Sequence, residues 1–131
     1  MTKDPVTVPL DTRLTEAAQI MRDRGIGDVL VMSNGHLCGL LTDRDIVVRA
    51  VAEHRSVSRT TVAEVCSADI ATLEPDADAD EAADLMRARS VRRIPVVEDG
   101  IPVGIVSMSD LVMEYDERSA LVEISKAPPN L

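Results

Sequence analysis

The chain has 131 residues, room for one compact domain or two intimately packed halves. A formal charge of −9 runs against a phosphate-backbone partner, and one tyrosine with no Phe or Trp leaves no stacking platform for single strands, so no nucleic-acid partner is expected. No apolar run approaches the roughly 18 residues of a membrane span, and Met1-Thr-Lys-Asp-Pro5 has no apolar leader core; the expectation is a cytoplasmic protein that does not touch a membrane.

Taken in order, Val6–Val8 reads as a strand and Thr15–Arg24 as a helix. Val29–Met32 and Leu37–Leu41 are strands around the turn Ser33-Asn34-Gly35. A helix runs from Asp43 to about Ala52. Residues 54–61 are polar and read as a link, and Val62–Cys66 reads as a short helix with one apolar face. Ile70–Glu74 alternates like a strand before the Pro75-Asp76 turn. Asp78, Asp80, Glu81 and Asp84 load the start of a helix that ends near Arg87 and Arg89, the charge order its dipole prefers. Ala79, Ala82, Ala83 and Met86 give that helix its apolar face. Ile94–Val97 and Pro102–Val106 flank Glu98-Asp99-Gly100, a hairpin signal. Ser107–Asp110 opens a helix carrying Leu111 and Val112. Leu121, Val122 and Ile124 suggest a last amphipathic helix, ended by Pro128-Pro129.

The chain repeats itself. Residues 7–46 laid without gaps on residues 72–111 agree at 12 of 40 positions, including Met21/Met86, Gly35/Gly100, Gly39/Gly104 and Asp45/Asp110. Two copies are too few for a solenoid, so they are expected to pack on each other about an approximate two-fold, with two equivalent clefts where they meet. The expected class is α+β: two β-α-β-β-α repeats, small sheets against helices. The expected parts are repeat 1 over 1–53, a linker at 54–61, repeat 2 over 62–118, and a C-terminal helix and tail over 119–131. The 65-residue offset places Met1 opposite Cys66, so repeat 1 starts without a counterpart of the Val62–Cys66 helix. The tail could cover that vacancy or mediate self-association.

Cys38 and Cys66 have no CxxC or histidine partner and read as reduced, buried thiols; His36 and His54 show no metal spacing. No Ser/His/Asp set and no phosphate-binding glycine loop occurs, so neither catalysis nor a bound cofactor is expected. The informative pattern is Thr42-x-x-Asp45 and its copy Ser107-x-x-Asp110. Each can be a capping box, in which the hydroxyl and the carboxylate satisfy free amides at a helix start. The same geometry offers a ligand free N–H groups, a positive dipole end and a carboxylate for hydroxyls.

Gly39-Leu-Leu-Thr-Asp-Arg-Asp45 and Gly104-Ile-Val-Ser-Met-Ser-Asp110, each after its hairpin, resemble the strand–helix junctions of a tandem CBS domain pair, the Bateman module. The likeness spans about residues 1–120, and small stand-alone bacterial members are the nearest in character. It implies regulation through an adenosine-containing ligand (AMP, ADP, ATP, NAD or S-adenosylmethionine) and pairing of modules into a homodimer. By that resemblance Asp45 and Asp110 hold ribose, Thr42 and Ser107 lie near phosphate, and Val8, Val29 and Ile94 are candidates to clamp the base. It also puts phosphate-binding basic residues where repeat 2 has Arg92 and Arg93; those arginines could equally pair with the chain's own carboxylates. Repeat 1 has Gly27 and Asp28 there, and a carboxylate repels phosphate. The Ser107/Asp110 junction is thus expected to be the better nucleotide site, the other being empty or suited to a less anionic adenosyl ligand; Arg44 is a candidate cation there but reads first as a surface arginine. The competing reading is a ligand-free dimeric module that docks on a separate effector protein.

Overall fold

A computed structural model describes residues 1–116, with side chains to residue 114; Leu121, Val122 and Ile124, and the helix expected around them, lie outside the described residues. In chain order the elements are β1 (Thr2–Lys3), β2 (Thr7–Pro9), α1 (Leu14–Arg24), β3 (Asp28–Ser33) and β4 (His36–Thr42). Then come α2 (Asp43–Asp45), continued by a π-helical segment (Ile46–Val51), and α3 (Val62–Val65). The remainder is α4 (Ala79–Arg89), β5 (Arg93–Glu98), β6 (Ile101–Ser107) and α5 (Met108–Asp116). The architecture is α+β as expected, and the 65-residue repeat is exposed in it: α1, β3 and β4 land on α4, β5 and β6 at both ends.

The chain forms two bodies. One comprises Asp4–Ile70 with Asp99–Pro102; the other comprises Met1–Lys3, Ala71–Glu98 and the chain from Val103 on. In the first, β2 runs parallel to β3, and β3 pairs antiparallel with β4. Val8, Val29, Val31 and Leu41 from this sheet meet Leu14, Ala17 and Met21 of α1 and Val62 and Val65 of α3 in one core. In the second, the sheet order is β1-β6-β5, and Leu73, Ile94, Val96 and Leu111 close on Ala82 and Met86 of α4. The buried residues of β3 (Val29, Leu30, Val31) and β5 (Ile94, Pro95, Val96) run consecutively rather than alternating, so these strands are buried on both faces.

Local chemistry sets the boundaries. Both hairpins turn with positive φ at both central residues, Asn34 and Gly35, then Asp99 and Gly100, as a type I′ turn demands. Helices α1 and α4 end on the left-handed residues Gly25 and Ser90. In each, the next N–H (Ile26, Val91) reaches back to the carbonyl of Met21 or Met86, a Schellman closure. Asp78 caps α4 by accepting from the Glu81 N–H at 2.8 Å.

Three expectations change. The strand at Ile70–Glu74 shrinks to one bridge, Leu73 with Val96, because Pro75 lacks an N–H and turns the chain at once. The second helix of repeat 1 is α-helical only for Asp43–Asp45 and then widens to a π-helix, whereas its copy α5 does not. The polar stretch 54–61 does more than connect. Arg13, at the N-cap of α1, makes no side-chain cap. The orphan amides of Leu14 and Thr15 donate instead to the carbonyls of Thr60 (2.9 Å) and Val57 (3.1 Å), so this stretch caps α1.

The residues that lead into each repeat sit on the body built around the other copy. Thr2 and Lys3 pair antiparallel with Ile105 and Gly104 of β6. Ser67, the 65-residue counterpart of Thr2, bridges Leu40 of β4, the counterpart of Ile105. Helix α3, which precedes Ser67, likewise packs in the core around α1. Gly39 and Gly104 permit the crossings. A Cβ on Gly39 would sit 2.7 Å from Cys66 Sγ and 3.2 Å from the Ser67 carbonyl oxygen, and one on Gly104 would sit 2.9 Å from the Thr2 carbonyl oxygen.

Candidate functional site

Strand β4 runs into α2 at Thr42, and β6 runs into α5 at Ser107. At the first junction the Thr42 N–H donates to Asp45 Oδ2 at 2.9 Å, and the Asp45 N–H donates to Thr42 Oγ1 at 3.1 Å. At the second, the Ser107 N–H donates to Asp110 Oδ2 at 2.8 Å and the Asp110 N–H to Ser107 Oγ at 3.2 Å. Both are closed capping boxes, which fix the hydroxyl and carboxylate in one geometry at a helix start. Each box is tied to the residue before the neighbouring strand. The Asp43 N–H donates to the Gly27 carbonyl at 2.9 Å, and the Met108 N–H to the Arg92 carbonyl at 2.8 Å. The backbone therefore brings Arg92, and Arg93 next to it, to the Ser107/Asp110 junction, and brings Gly27 and Asp28 to the Thr42/Asp45 junction. Asp28 also stands opposite Thr42 in the β3–β4 ladder.

Only one oxygen of each carboxylate closes the box. Asp45 Oδ1 lies 3.9 Å from Arg49 Nε, and Asp110 Oδ1 lies 3.5 Å from the Met1 amine. Both are ion pairs longer than a good hydrogen bond, so each Oδ1 has a cation beside it and lone pairs still able to accept. Asp45 is the more enclosed, with 16% of its side chain exposed against 32% for Asp110. The aliphatic candidates are placed differently. Val29 and Ile94 are wholly buried and Val8 nearly so, each within the core of its own body. Their side chains are committed to packing, which leaves backbone and not side chain for a ligand.

Arg49 went unread in the sequence. Its Nη1 donates to the carbonyls of Val65 (3.2 Å) and Cys66 (3.5 Å) while Nε faces Asp45. The i,i+4 spacing of Asp45 and Arg49 was the available signal. The cysteines are free but only half-buried, a correction to the buried thiols expected. Burial first, then the neighbouring Cys38 and Asp45 charges, push the Cys66 thiol up from its ordinary value. Among the described residues, no group of three or more His, Cys, Asp and Glu side chains is placed to hold a metal ion. No helix among them is long and apolar enough to cross a membrane.

The repeated β-α-β-β-α frame and its twin capped junctions define a CBS pair, and the family model for the CBS domain matches residues 1–51 and 62–117. The chain belongs to the CBS domain family, regulatory modules that typically bind adenosine ligands. It is 36% identical over 129 residues to the CBS domain-containing protein YhcV of Bacillus subtilis, covering 95% of this chain and 91% of that one. It is 35% identical over 115 residues to hypoxic response protein 1 of Mycobacterium tuberculosis, covering 87% and 80%. Among solved structures, a putative signal-transduction protein with CBS domains from Burkholderia ambifaria superposes with a TM-score of 0.79 at 28% identity, covering 98% of this chain and 89% of that one. An inosine-5'-monophosphate dehydrogenase of Nitrosopumilus maritimus shares 29% identity, but over only 24% of its own length, so that likeness shows no catalytic activity.

Proposed function

We propose that this protein is a non-catalytic, cytoplasmic regulatory module that binds an adenosine-containing ligand (AMP, ADP, ATP, NAD or S-adenosylmethionine) and acts as a homodimer on a separate effector protein. The observation that carries it is the half-used carboxylate. Asp110 holds its own helix start with Oδ2, and Oδ1, ion-paired with the Met1 amine at 3.5 Å, has lone pairs left for ribose hydroxyls. Two arginines beside the same helix start suit phosphate, as guanidinium forks do. The Ser107/Asp110 junction with Arg92 and Arg93 is therefore the nucleotide site. The Thr42/Asp45 junction, with Asp28 in the matching place, takes a ligand of lower negative charge.

The test is thermal unfolding against those five ligands, by calorimetry or dye because the chain has no Trp. A ligand at about 100 times its Kd stabilises a fold by about 2.7 kcal/mol. The expected result is a rise with one ligand that Asp110→Ala reduces, any remainder belonging to the Thr42/Asp45 junction. A rise that Asp110→Ala leaves undiminished refutes the Ser107/Asp110 site. No rise with any ligand favours the ligand-free interaction module, a reading supported by both capping boxes being closed by protein groups alone.

A further inference from the structure

We infer that Arg49 is the specificity-determining cation of the Thr42/Asp45 junction, fitting it for a ligand with one phosphate where Asp28 alone would exclude phosphate; this rests on the adenosine-binding reading above. Three observations converge on Arg49. Its guanidinium is held in place at the C-terminal end of α3, where the Val65 and Cys66 carbonyls accept from Nη1, and a helix C-terminus favours a cation. The same guanidinium lies alongside Asp45, the carboxylate assigned to ribose, with 51% of the Arg49 side chain exposed. Asp45 and Arg49 also stand four residues apart, neighbours on one helix face.

The repeat shows why the position matters. Residue 49 maps onto Glu114, and Gly27-Asp28 maps onto Arg92-Arg93. One junction takes its positive charge from the strand side and from the Met1 amine beside Asp110, and carries an acid on the helix; the other carries an acid at the strand and takes its positive charge from the helix. Each has a cation, but the Thr42/Asp45 junction has one placed guanidinium where the other has two arginines. Arg44, the alternative, meets Asp43 through its backbone N–H, whereas the Arg49 guanidinium itself is held by the Val65 and Cys66 carbonyls.

The experiment measures AMP and adenosine affinities by titration calorimetry in the Asp110→Ala protein, which leaves the Thr42/Asp45 junction as the site under test. With Arg49 present, AMP is expected to bind about tenfold tighter than adenosine, about 1.4 kcal/mol. Arg49→Met should erase that preference while changing adenosine affinity less than about twofold, and Arg49→Lys, which keeps the charge, should retain it. Equal losses for both ligands in Arg49→Met mean that Arg49 only bolts α3 in place; that result overturns the inference and leaves the site standing. A preference that survives Arg49→Met, or that Arg49→Lys abolishes, overturns it as well. If Asp110→Ala binds neither ligand, the two-site reading falls and the inference falls with it.

Discussion

Replacing Gly39 by alanine tests the packing argument without any ligand. The new Cβ would lie 2.7 Å from Cys66 Sγ and 3.2 Å from the Ser67 carbonyl oxygen. The sulfur can swing aside only within a half-buried site, and the Ser67 backbone is tied to β4 by bonds of 3.0 Å in both directions, Leu40 N–H to the Ser67 carbonyl and Ser67 N–H to the Leu40 carbonyl. Overpacking of this kind costs about 1–3 kcal/mol. With about 2.1 cal/mol/K of unfolding entropy per residue, a loss near 2 kcal/mol lowers Tm by about 7 °C for a chain of this length. The sulfur is the nearer obstacle, so Cys66→Ala in the same molecule should return about half of the loss, a coupling of about 1 kcal/mol between touching residues. The assay is calorimetric unfolding of wild type, both single variants and the double variant. Strict additivity of the two substitutions, or an unchanged Tm in Gly39→Ala, would refute the claim that this glycine exists to let the Cys66–Ser67 segment cross β4.

Two further outcomes follow from titratable groups. Burial raises the Cys66 thiol, so in a Cys38→Ser protein iodoacetamide should modify Cys66 more slowly at pH 8 than a free thiol, with the rate rising only above the ordinary thiol range near 8.5; modification at the free-thiol rate would contradict the packing around it. Glu64 accepts from the Thr61 N–H at 2.8 Å at the start of α3, and that bond, ahead of the nearby Arg55, holds its carboxyl below the usual range. A depressed folded value means that its stabilisation is present above the unfolded value of about 4.3 and is lost as pH falls through the lower folded value. The Tm gap between wild type and Glu64→Gln should therefore be widest near pH 6 and close toward pH 3, and a gap independent of pH counts against the capping role.

Much of this architecture was legible in the chain. The repeat, the Asn34-Gly35 and Asp99-Gly100 turns, and the two hydroxyl-x-x-Asp junctions are local patterns whose physics is contained in a few neighbouring residues. What escaped depends on partners distant in sequence. Nothing around Arg13 announces that α1 borrows its cap from Val57 and Thr60, because the donors are backbone amides and the acceptors are carbonyls, groups every residue carries. The placement of α3 could not be read from Val62–Val65 either, since an apolar face states what it needs and not which core supplies it. The π-helical winding was hidden for a related reason: Ile46–Val51 is apolar enough for any helix, and the contacts of Arg49 with Val65 and Cys66 become visible only once α3 is in position. At the site, Val8, Val29 and Ile94 were legible as aliphatic residues beside a junction, but not as residues whose side chains the cores had already claimed.

The exchanged lead-in segments bear on how this chain can be cut and how it folds. Dividing the gene between Thr61 and Val62 would follow the repeat, yet it would strip β4 of Ser67 and β6 of Thr2 and Lys3, leaving two bare strand edges of the kind that recruit other chains. A fragment meant to stand alone has to run past Ser67, into the second copy. The pairing of Thr2 with Ile105 joins opposite ends of the described chain, so its loop-closure cost is met only after the local hairpins and helices exist to offset it. Gene duplication of such a unit therefore yields halves that complete one another's sheets, and selection on either half acts on both.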